Sequence, residues 1–530
     1  MAAIRPKTTR GVRRWTAAKS SAGSLLISIT IPADEELTAM DTFFIHNFGC
    51  RATQADAAAI RQSLISRGYS AVASDANAHL IVLNTCTVTA AADCEARETV
   101  RRMHRVNPRA RIVMTGCYAQ RAPEELAVLE GVSLVVGNSH QSEIAGLLSS
   151  TRDFIPLARI ESSAAQAAPI YRGEIAAEQS LFVPSPEESL AERTRPVLKI
   201  QDGCNHRCSY CVIPYVRGAS RILAPDRVLL EIRRLIEAGA REIVLSGIDL
   251  GSYGRTLSPK IGLQLLIARI LGETSIERLR ISSIEPMDVT SDLIELVASS
   301  NRIAPHFHMP LQSGSDRILR AMHRWYRAAH YARRVELIRE RLPHAAIGAD
   351  VIVGFPGETE EDHRLTTQFL ETLPLSYLHV FSFSPRPGTE AARFPASAAI
   401  APQVIQQRAR ELRALAAEKM KAFHSSQQWT KIRVLTLDRA NDNWTEAISG
   451  NYLKVRLRGR WPRNLWFDVD FEDSGAPVVG VPLDGQLSKI TSANARLPLC
   501  VIDTEKRVAP SRAACSPEAP LKVSTGFPPG

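Results

Sequence analysis

Strand-like and helix-like segments alternate along most of this chain, in two separate blocks, and this alternation constrains the fold more than any other feature. In the first block, helical patterns separate short apolar segments rich in strand-forming residues, at 42–46, 79–86, 110–117 and 132–138. Strands that alternate with helices favour a parallel sheet covered by helices. We therefore predict a parallel α/β domain over residues 41–150.

The second block contains six strand-like segments with helical stretches between them. These segments are 197–203, 242–249, 278–285, 305–312, 346–355 and 377–384. A complete TIM barrel has eight β/α units, so six units predict an incomplete, TIM-like (β/α)6 barrel. A long helical pattern at 402–424 ends this central domain, which we place at 194–424.

The remaining segments have weaker patterns. Residues 425–495 contain short alternating runs that predict a small C-terminal β domain, whereas residues 151–193 have no clear period and are predicted to be a linker. The Pro- and Ser-rich residues 496–530 are expected to form a disordered tail. Residues 1–40 are expected to form a basic, disordered tail, with a transit peptide or a translation start at Met40 as the alternatives.

The charge balance of the chain is basic. Its 530 residues include 65 Lys and Arg against 55 Asp and Glu, a formal net charge of +10. A basic surface favours polyanions, above all nucleic acid, although the same charge also serves solubility. No stretch approaches the roughly 18 uninterrupted apolar residues of a membrane span, so we expect no association with a membrane.

Three cysteines lie on one loop directly after the first strand of the central block. Cys204, Cys208 and Cys211 have the spacing C-x3-C-x2-C. Thiolates are the usual ligands of iron–sulfur clusters, and three of them can hold three irons of a [4Fe–4S] cluster and leave the fourth iron open for a cofactor. A zinc site would need a fourth ligand, and His206 lies inside the loop. We favour the cluster and expect catalysis at its open iron.

Three further cysteines occupy equivalent positions in the first block. Cys50, Cys86 and Cys117 each follow a predicted strand, in loops that gather at one edge of a parallel sheet. They form a candidate second metal site, with small buried hydrophobic residues as the alternative. The nine cysteines are an odd and sparse set for a disulfide scaffold, so we expect metal roles in a reducing, cytoplasmic location.

Several long motifs are shared with a known family. Over residues 41–460 the chain resembles the radical S-adenosylmethionine (SAM) methylthiotransferases, and more closely the branch that acts on threonylcarbamoyladenosine in tRNA. The motifs that carry this resemblance are NTCTVT (84–89), TGCYAQ (115–120), VVGN (135–138), QDGCNHRCSYCVIPYVRGASR (201–221), RISSIEP (280–286), PLQSGSD (310–316), MHRWY (322–326), DVIVGFPGETEED (350–362) and FSFSPRPGT (381–389).

The resemblance implies two [4Fe–4S] clusters, one on the C-x3-C-x2-C loop and an auxiliary one on the three N-terminal cysteines. In this family the first cluster cleaves SAM to a 5′-deoxyadenosyl radical, which removes the unreactive hydrogen from carbon 2 of adenine. The auxiliary cluster takes part in sulfur insertion, and a second SAM donates the methyl group. The implied function is methylthiolation of carbon 2 of N6-threonylcarbamoyladenosine, next to the anticodon of tRNA.

The resemblance also implies residues that bind SAM. They lie in the cluster loop and at the ends of the barrel strands, where polar groups face the site: Tyr210, Ser246, Gly247, Ser283, Glu285, Gln312 and Gly354. For each, an ordinary strand cap or core residue is the alternative. Arg217 and Arg221 are expected to pair with the carboxylate of the threonylcarbamoyl group, with a salt bridge inside the barrel as the alternative.

The implied partners are tRNA and a low-potential electron donor of the flavodoxin or ferredoxin type, with the enzyme acting as a monomer. The C-terminal β domain resembles a TRAM domain, a small RNA-binding barrel, although residues 461–490 match it poorly. Alternation along a strand would place four cations on one face: Lys454, Arg456, Arg458 and Arg460. This face suits an RNA backbone, and a solvated surface strand is the alternative.

Other functions fit part of the sequence. A methylthiotransferase of the same kind can instead act on isopentenyladenosine in tRNA or on a protein side chain. A non-enzymatic, metal-containing RNA-binding protein would share the cysteines and the basic charge, but it would not cleave SAM.

Overall fold

The computed structural model describes four stretches of the chain, residues 41–150, 167–176, 180–472 and 477–482. These residues belong to one compact unit, Asp41–Gly530. The two predicted tails, 1–40 and 496–530, lie outside the described residues. No helix in the described part of the chain is long and apolar enough to cross a membrane.

The N-terminal domain is a parallel α/β sheet, as predicted. Its elements are β1 Thr42–Asn47, α1 Arg51–Ile65, β2 Ser70–Ala71, β3 Leu80–Thr85, α2 Ala90–Val106, β4 Arg111–Gly116, α3 Cys117–Arg121, α4 Pro123–Ala127, β5 Val132–Gly137, α5 Ile144–Ser150 and β6 Ile170–Tyr171. The strands pair in the order β2-β1-β3-β4-β5-β6. The central strand β3 is buried at every residue, and a strand covered on both faces is a continuous apolar run rather than an alternating one.

Part of the segment predicted as a linker, 151–193, packs on this domain. Strand β6 extends the sheet by pairing with β5. Helix α6 (Pro186–Glu192) packs against α1, where Arg61 donates to Glu188 at 2.6 Å. Both elements are short, so neither produces a periodic pattern in the sequence.

The central domain is an incomplete barrel of six parallel strands, which confirms the predicted (β/α)6 architecture. Its elements are β7 Val197–Lys199, β8 Gln201–Asp202, α7 Ile213–Arg217, β9 Arg221–Ile222, α8 Pro225–Glu237, β10 Glu242–Ser246, α9 Leu263–Glu273, β11 Arg278–Ile281, α10 Ser291–Ala298, β12 His306–His308, α11 Asp316–Ala321, α12 Ala328–Arg341, β13 Ala346–Val353, α13 Glu360–Thr372, β14 Tyr377–Ser382 and α14 Pro402–Ser426. The barrel strands form two halves, β7-β10-β11 and β12-β13-β14. A bridge between Leu279 and Ile303 joins the halves.

The barrel strands have an apolar outer side and a polar inner side. Alternate residues such as Leu245, Leu279 and Val351 pack with the surrounding helices in the main hydrophobic core. The residues between them point the opposite way, because side chains alternate along a strand. The inner wall therefore carries charged and polar groups: Lys199, Glu242, Arg280, His308, Asp350 and Tyr377. Such a wall suits a polar substrate better than a closed apolar core.

The C-terminal domain is an antiparallel sheet, which confirms the predicted small β domain in its described part. The strands pair in the order β17-β16-β15-β18-β19, and their bounds are β15 Lys431–Ala440, β16 Trp444–Ser449, β17 Lys454–Arg458, β18 Trp466–Asp470 and β19 Gly480–Pro482. In β17, Lys454 and Arg456 are exposed, whereas Val455 and Leu457 are buried. The predicted face is therefore present only in part, because Arg458 is half-buried and Arg460 lies beyond the end of β17.

A buried carboxylate connects the barrel to the C-terminal domain. Glu242 is fully buried and accepts hydrogen bonds from Arg278 at 2.7 Å and from Arg280 at 2.6 Å, and Arg195 lies 3.4 Å away. The same Arg280 donates to the carbonyl of Ser449 in the C-terminal domain at 2.9 Å. Burial alone would raise the pKa of Glu242, but the three guanidinium groups hold it well below its usual value.

We expect Glu242→Gln to lower the free energy of unfolding by about 3–5 kcal/mol, because it leaves three buried guanidinium groups without their counter-charge. In the unfolded chain the pKa of Glu242 is about 4.3. Because folding lowers this pKa, ionised Glu242 stabilises the folded state at pH values above about 4.3, and this stabilisation is lost as the pH falls below that value. The difference between wild type and variant should therefore shrink below about pH 4. Urea unfolding monitored by circular dichroism at several pH values measures both effects.

Glu273→Gln is the matched control, because Glu273 pairs with Arg233 and Arg269 but its side chain is 39% exposed. An exposed pair contributes about 0–1 kcal/mol. If Glu242→Gln were no more destabilising than Glu273→Gln at pH 7, the anchoring role of Glu242 would be wrong.

Candidate active site

The three N-terminal cysteines lie together at the carboxyl edge of the first sheet. Strands β3 and β4 end in register there, with Thr85 opposite Gly116. Cys86 and Cys117 directly follow these two strands, and Cys50 caps the start of α1 beside them. Cys86 and Cys117 are buried, whereas Cys50 is exposed. The structure thus brings together the three thiols that the sequence analysis grouped.

Two glycines allow these loops to approach one another. Gly116 has a φ of +94°, and a Cβ there would lie 2.4 Å from the carbonyl oxygen of Thr85. A Cβ on Gly49 would lie 2.9 Å from the Cβ of Cys86. Any larger residue at either position would therefore push the cysteine loops apart.

The environment of these thiols fits a metal cluster. Burial raises the pKa of Cys117, and burial together with the neighbouring thiols raises the pKa of Cys86 to about 12. Both thiols therefore keep their protons at neutral pH unless a bound metal displaces them. Thiolates are the ligands that iron–sulfur clusters use in proteins, and these three thiols lie together at the carboxyl edge of the sheet.

The second cysteine set lies on the loop between β8 and α7, at the carboxyl end of the barrel. The Cys204 amide donates to the carbonyl of Gly218 at 3.1 Å, and the Cys211 amide donates to that of Cys208 at 3.0 Å. These bonds fold the loop back on itself, and Cys204 and Cys211 both lie close enough to Cys208 to interact with it electrostatically. Burial raises the pKa of Cys204 and of Cys211 to about 12, so these two thiols also require a metal to become thiolates.

The spacing of the thiols favours a cluster over a single ion. Tetrahedral zinc holds its thiolate sulfurs about 3.8 Å apart, since each Zn–S bond is about 2.3 Å. Among the described residues, three ligand atoms lie within 4.8 Å of one another at His308, Asp350 and His379, and at neither cysteine set. In a [4Fe–4S] cluster each thiolate binds a different iron, which separates the sulfurs further. The spacing therefore argues against a single tetrahedral ion at either set, and thiols are the donor type that iron–sulfur clusters use.

Asp249 organises one side of the barrel loop. Its carboxylate, just beyond the end of β10, lies 3.9 Å from Cys204 Sγ and 3.2 Å from His206 Nε2. The His206 ring also contacts Trp325, with 4.2 Å between ring centroids. His206, the possible fourth zinc ligand, is thus held by a carboxylate and an aromatic ring.

Arg324 organises the other side of the loop. It donates to Cys208 Sγ at 3.5 Å and forms an ion pair with Glu285, the predicted SAM-binding residue after β11. Tyr326 lies 3.3 Å from the Arg324 Nε and donates to the carbonyl of Leu311. Arg324 therefore connects the cluster loop to the ends of two barrel strands.

The other predicted SAM-binding residues lie around the same mouth of the barrel. Ser246 ends β10 and is buried, and a Cβ on the adjacent Gly247 would lie 2.8 Å from Gln201 Oε1. Ser283 follows β11 and is exposed. Gln312 follows β12 with a φ of +70°. The strand ends bring these residues to one edge, and their binding to SAM stays a prediction.

Gly354 and Tyr210 have additional packing roles. Gly354 ends β13 with a φ of +79°, and a Cβ there would lie 2.6 Å from the side chain of Ile405 in α14. Tyr210 is half-buried and packs against the hydrophobic group that includes Met322 and Phe355. These contacts explain both residues structurally, and contact with SAM again stays a prediction.

The two cysteine sets lie in different domains, and the helices beside them pack together. Helix α3, which begins at Cys117, packs against α7, the helix that follows Cys211. Cys117 itself packs against Val212 and Val216 of the barrel. Asn138, beyond β5, donates to Cys117 Sγ at 3.6 Å and to the carbonyl of Val216 at 2.7 Å. The junction between the domains therefore places Cys117 against the helix that directly follows the barrel loop.

Arg217 and Arg221 lie in this junction. Arg217 is buried and donates to Asp202 at 3.0 Å and to Asp56 of the N-terminal domain at 3.0 Å. Arg221 lies 3.8 Å from Asp202 and donates to the Arg217 carbonyl. With Lys199 they line a cavity of about 120 Å³. These contacts are ion pairs within the protein, and binding of a substrate carboxylate by either arginine stays a prediction.

Sequence reasoning missed several residues of the site. Asp249 lies three residues beyond the strand end Ser246, and Arg324 lies inside the motif MHRWY, so a charged residue next to a strand end or inside a family motif was the available signal. Asp56 offered no local signal, because its partner Lys199 is 143 residues away along the chain.

Comparisons with known proteins agree with this architecture. Residues 42–137 match the family described as Uncharacterized protein family UPF0004, and residues 198–370 match the Radical SAM superfamily. The chain is 36% identical over 412 residues to Threonylcarbamoyladenosine tRNA methylthiotransferase MtaB of Aquifex aeolicus, covering 78% of this chain and 95% of the relative. It is 35% identical to MtaB of Bacillus subtilis, covering 79% and 91%. It is 36% identical to tRNA-2-methylthio-N(6)-dimethylallyladenosine synthase of Syntrophobacter fumaroxidans, covering 66% and 75%.

These relatives and the site agree on a class of enzyme. A radical SAM enzyme requires a [4Fe–4S] cluster and SAM, and the loop of Cys204, Cys208 and Cys211 fits that cluster. The UPF0004 match, residues 42–137, contains the three N-terminal cysteines, and the match to the Aquifex aeolicus protein covers 95% of that protein. The chain belongs to the radical SAM methylthiotransferase family.

Proposed function

We propose that this enzyme methylthiolates carbon 2 of N6-threonylcarbamoyladenosine, next to the anticodon of tRNA. The observation that carries the proposal is the junction at which α3 and α7 pack together, with one cysteine set on each side. An adenine in this junction would lie between a SAM-binding cluster on the barrel and an auxiliary [4Fe–4S] cluster on the N-terminal domain.

The relatives support this choice of substrate. The names of the Aquifex aeolicus and Bacillus subtilis proteins specify threonylcarbamoyladenosine in tRNA, and the matches cover 95% and 91% of those proteins. The Syntrophobacter fumaroxidans protein, named for dimethylallyladenosine, is covered over 75%. The threonylcarbamoyl substrate is therefore the better supported of the two.

The role of the chain in this reaction is to hold and orient its partners. When bound, a [4Fe–4S] cluster with SAM supplies a 5′-deoxyadenosyl radical, and an auxiliary cluster supplies sulfur. Arg324 and Asp249 fix the thiols of the barrel loop through the contacts described above. Arg217 bridges Asp202 of the barrel and Asp56 of α1, which fixes the spacing between the two cysteine sets.

The C-terminal domain supplies a surface for RNA in this proposal. Lys454 and Arg456 project from β17 into solvent, and exposed cations on a strand suit a phosphate backbone. The proposal also includes a low-potential electron donor of the flavodoxin or ferredoxin type and a monomeric enzyme in the cytoplasm.

We expect bulk tRNA from cells that lack this gene to lose 2-methylthio-N6-threonylcarbamoyladenosine and to accumulate the unmodified N6-threonylcarbamoyladenosine. Liquid chromatography with mass spectrometry of tRNA nucleosides measures both species, and a plasmid copy of the gene should restore the product. An unchanged level of the methylthio nucleoside in the deletion strain would mean that the proposed substrate is wrong.

We expect alanine variants of the two cysteine sets to differ in one reaction. Cys50→Ala, Cys86→Ala and Cys117→Ala should retain SAM cleavage to 5′-deoxyadenosine but form no methylthio product, whereas Cys204→Ala should lose both. Each variant should lose about four of the eight irons of the two clusters. Anaerobic reconstitution, iron analysis and product chromatography provide these measurements.

Cys94→Ala is the matched control for the cysteine variants. Cys94 lies within α2 and belongs to neither set, and its thiol lies 3.5 Å from Glu98. This variant should keep full iron content and both products. Methylthio product from any of the three N-terminal variants would contradict the auxiliary site.

We expect the double variant Lys454→Ser, Arg456→Ser to weaken binding of the tRNA about tenfold and to lower the salt dependence of binding by about two counterions. Fluorescence anisotropy at several salt concentrations measures both quantities. Arg333→Ser, an exposed position on α12, is the control. Equal loss of affinity in the control and the double variant would mean that β17 has no special role.

A further inference from the structure

Polar residues on the inner wall of the barrel form a group with Arg51 of α1 and Tyr452 of the C-terminal domain, and the proposed mechanism leaves this group without a role. Its members are Arg51, His306, His308, Asp350, Tyr377, His379 and Tyr452. Two buried atoms of this group have no hydrogen-bond partner among the described residues, Arg51 Nη1 and His306 Nδ1. Leaving a buried polar atom unpaired costs free energy, so the pair marks a place where a ligand would supply the missing partners.

Arg51 connects the auxiliary cysteine set to the barrel interior. It is the first residue of α1 and directly follows Cys50. Its guanidinium group is hydrogen-bonded to the hydroxyl of Tyr452, a residue of the C-terminal domain. The Tyr452 ring in turn stacks on His306, with 4.8 Å between centroids. One side chain thus reaches from the edge of the first sheet to the floor of the barrel, where it offers a cationic donor.

Hydrogen bonds along the inner wall determine where His306 carries its proton. The Asp350 carboxylate lies 3.0 Å from His308 Nε2, which donates to it. The tautomer of His308 that carries its proton on Nε2 accepts at Nδ1 from the Tyr377 hydroxyl, 3.0 Å away. The Tyr377 oxygen is therefore left to accept from His306 Nε2 at 2.8 Å. In this order, Nδ1 of a neutral His306 is an acceptor that lacks a donor.

The charges of the group agree with this order. Burial would raise the pKa of Asp350, but hydrogen bonds from His308 and His379 lower it to about 2, so the carboxylate is ionised at neutral pH. Burial, together with nearby guanidinium groups that include Arg51, lowers the pKa of His306 well below its usual value. His306 is therefore neutral, and only 3% of the residue is exposed.

A ligand that satisfies both atoms offers an anion to Arg51 and a hydroxyl proton to His306. The threonyl part of a threonylcarbamoyl group has both, a carboxylate on one carbon and a hydroxyl on the next. The carbon that bears N6 and carbon 2 of adenine both bond to N1, so a base whose carbon 2 faces the auxiliary set presents its N6 group close to that set. Arg51, the neighbour of Cys50, is placed to meet it. A dimethylallyl group has neither a carboxylate nor a hydroxyl.

We propose that Arg51 and His306 bind the N6 substituent of the substrate, Arg51 its carboxylate and His306 its hydroxyl group. This inference rests on the proposed function and deepens it, because it assigns the choice between modified adenosines to two residues. It separates the roles of the two side chains, so each can be tested against its own chemical group.

The test uses three anticodon stem-loops that differ in one functional group. The first carries N6-threonylcarbamoyladenosine, the second its carboxamide, and the third the analogue in which the threonyl hydroxyl is replaced by hydrogen. Their dissociation constants from the reconstituted holoenzyme are measured by anisotropy without reductant, so no turnover occurs. We expect wild type to bind the carboxamide about tenfold to a hundredfold more weakly and the deoxy analogue about twofold to tenfold more weakly.

Each variant should lose one preference and keep the other. Arg51→Met should bind the threonylcarbamoyl stem-loop and its carboxamide equally but still bind the deoxy analogue more weakly. His306→Phe should bind the threonylcarbamoyl stem-loop and the deoxy analogue equally but still bind the carboxamide more weakly. Arg51→Lys, which keeps the charge, should retain the preference for the acid. Arg61→Met, on the same helix but paired with Glu188, should behave as wild type.

Iron content and thermal unfolding of every variant show whether its fold and clusters are intact. If Arg51→Met fails to fold, the His306→Phe and Arg51→Lys arms still test the inference. A folded Arg51→Met or His306→Phe that keeps all preferences of wild type would overturn the inference and leave the proposed function standing. Wild type that makes no product from the threonylcarbamoyl stem-loop under turnover conditions would instead overturn the proposed function, and the inference with it.

Discussion

The rest of the structure depends on a buried ion-pair network between α1 and the barrel. Asp56 of α1 accepts hydrogen bonds from Lys199 and Arg217, and Asp202 of the barrel accepts from the same two cations. All four residues are buried. Removing one member leaves an uncompensated buried charge, which is strongly destabilising. The network therefore holds the two domains in the single arrangement that brings the two cysteine sets together.

Much of the fold followed from the sequence because its determinants are local. Alternating segments predicted both parallel sheets, and a short loop of three thiols predicted the cluster site on the barrel. The N-terminal set was also foreseeable, since Cys50, Cys86 and Cys117 each follow a strand of one parallel sheet, and strand ends of such a sheet share an edge. The small strand Ile170–Tyr171 was not foreseeable, because two residues give no period.

The unpredicted part of the site consists of contacts between distant residues. Arg217 follows the cluster loop, and the sequence favoured a substrate carboxylate as its partner, whereas the structure gives it two protein carboxylates. The direction of a side chain and the identity of its partner depend on packing between domains, which no local pattern encodes. The same holds for Arg51 and His306, which are 255 residues apart in numbering and meet through Tyr452.

Tyr452 gives the C-terminal domain a second role. Its ring lies against His306, and Arg280 approaches its face at 5.3 Å, so a loop of the β domain forms the floor of the barrel. Exchange of this domain between related enzymes would therefore alter the inner wall of the barrel as well as the surface proposed to bind RNA. In a chimaera that exchanges this domain, the loop that contains Tyr452 and the barrel should therefore come from the same enzyme.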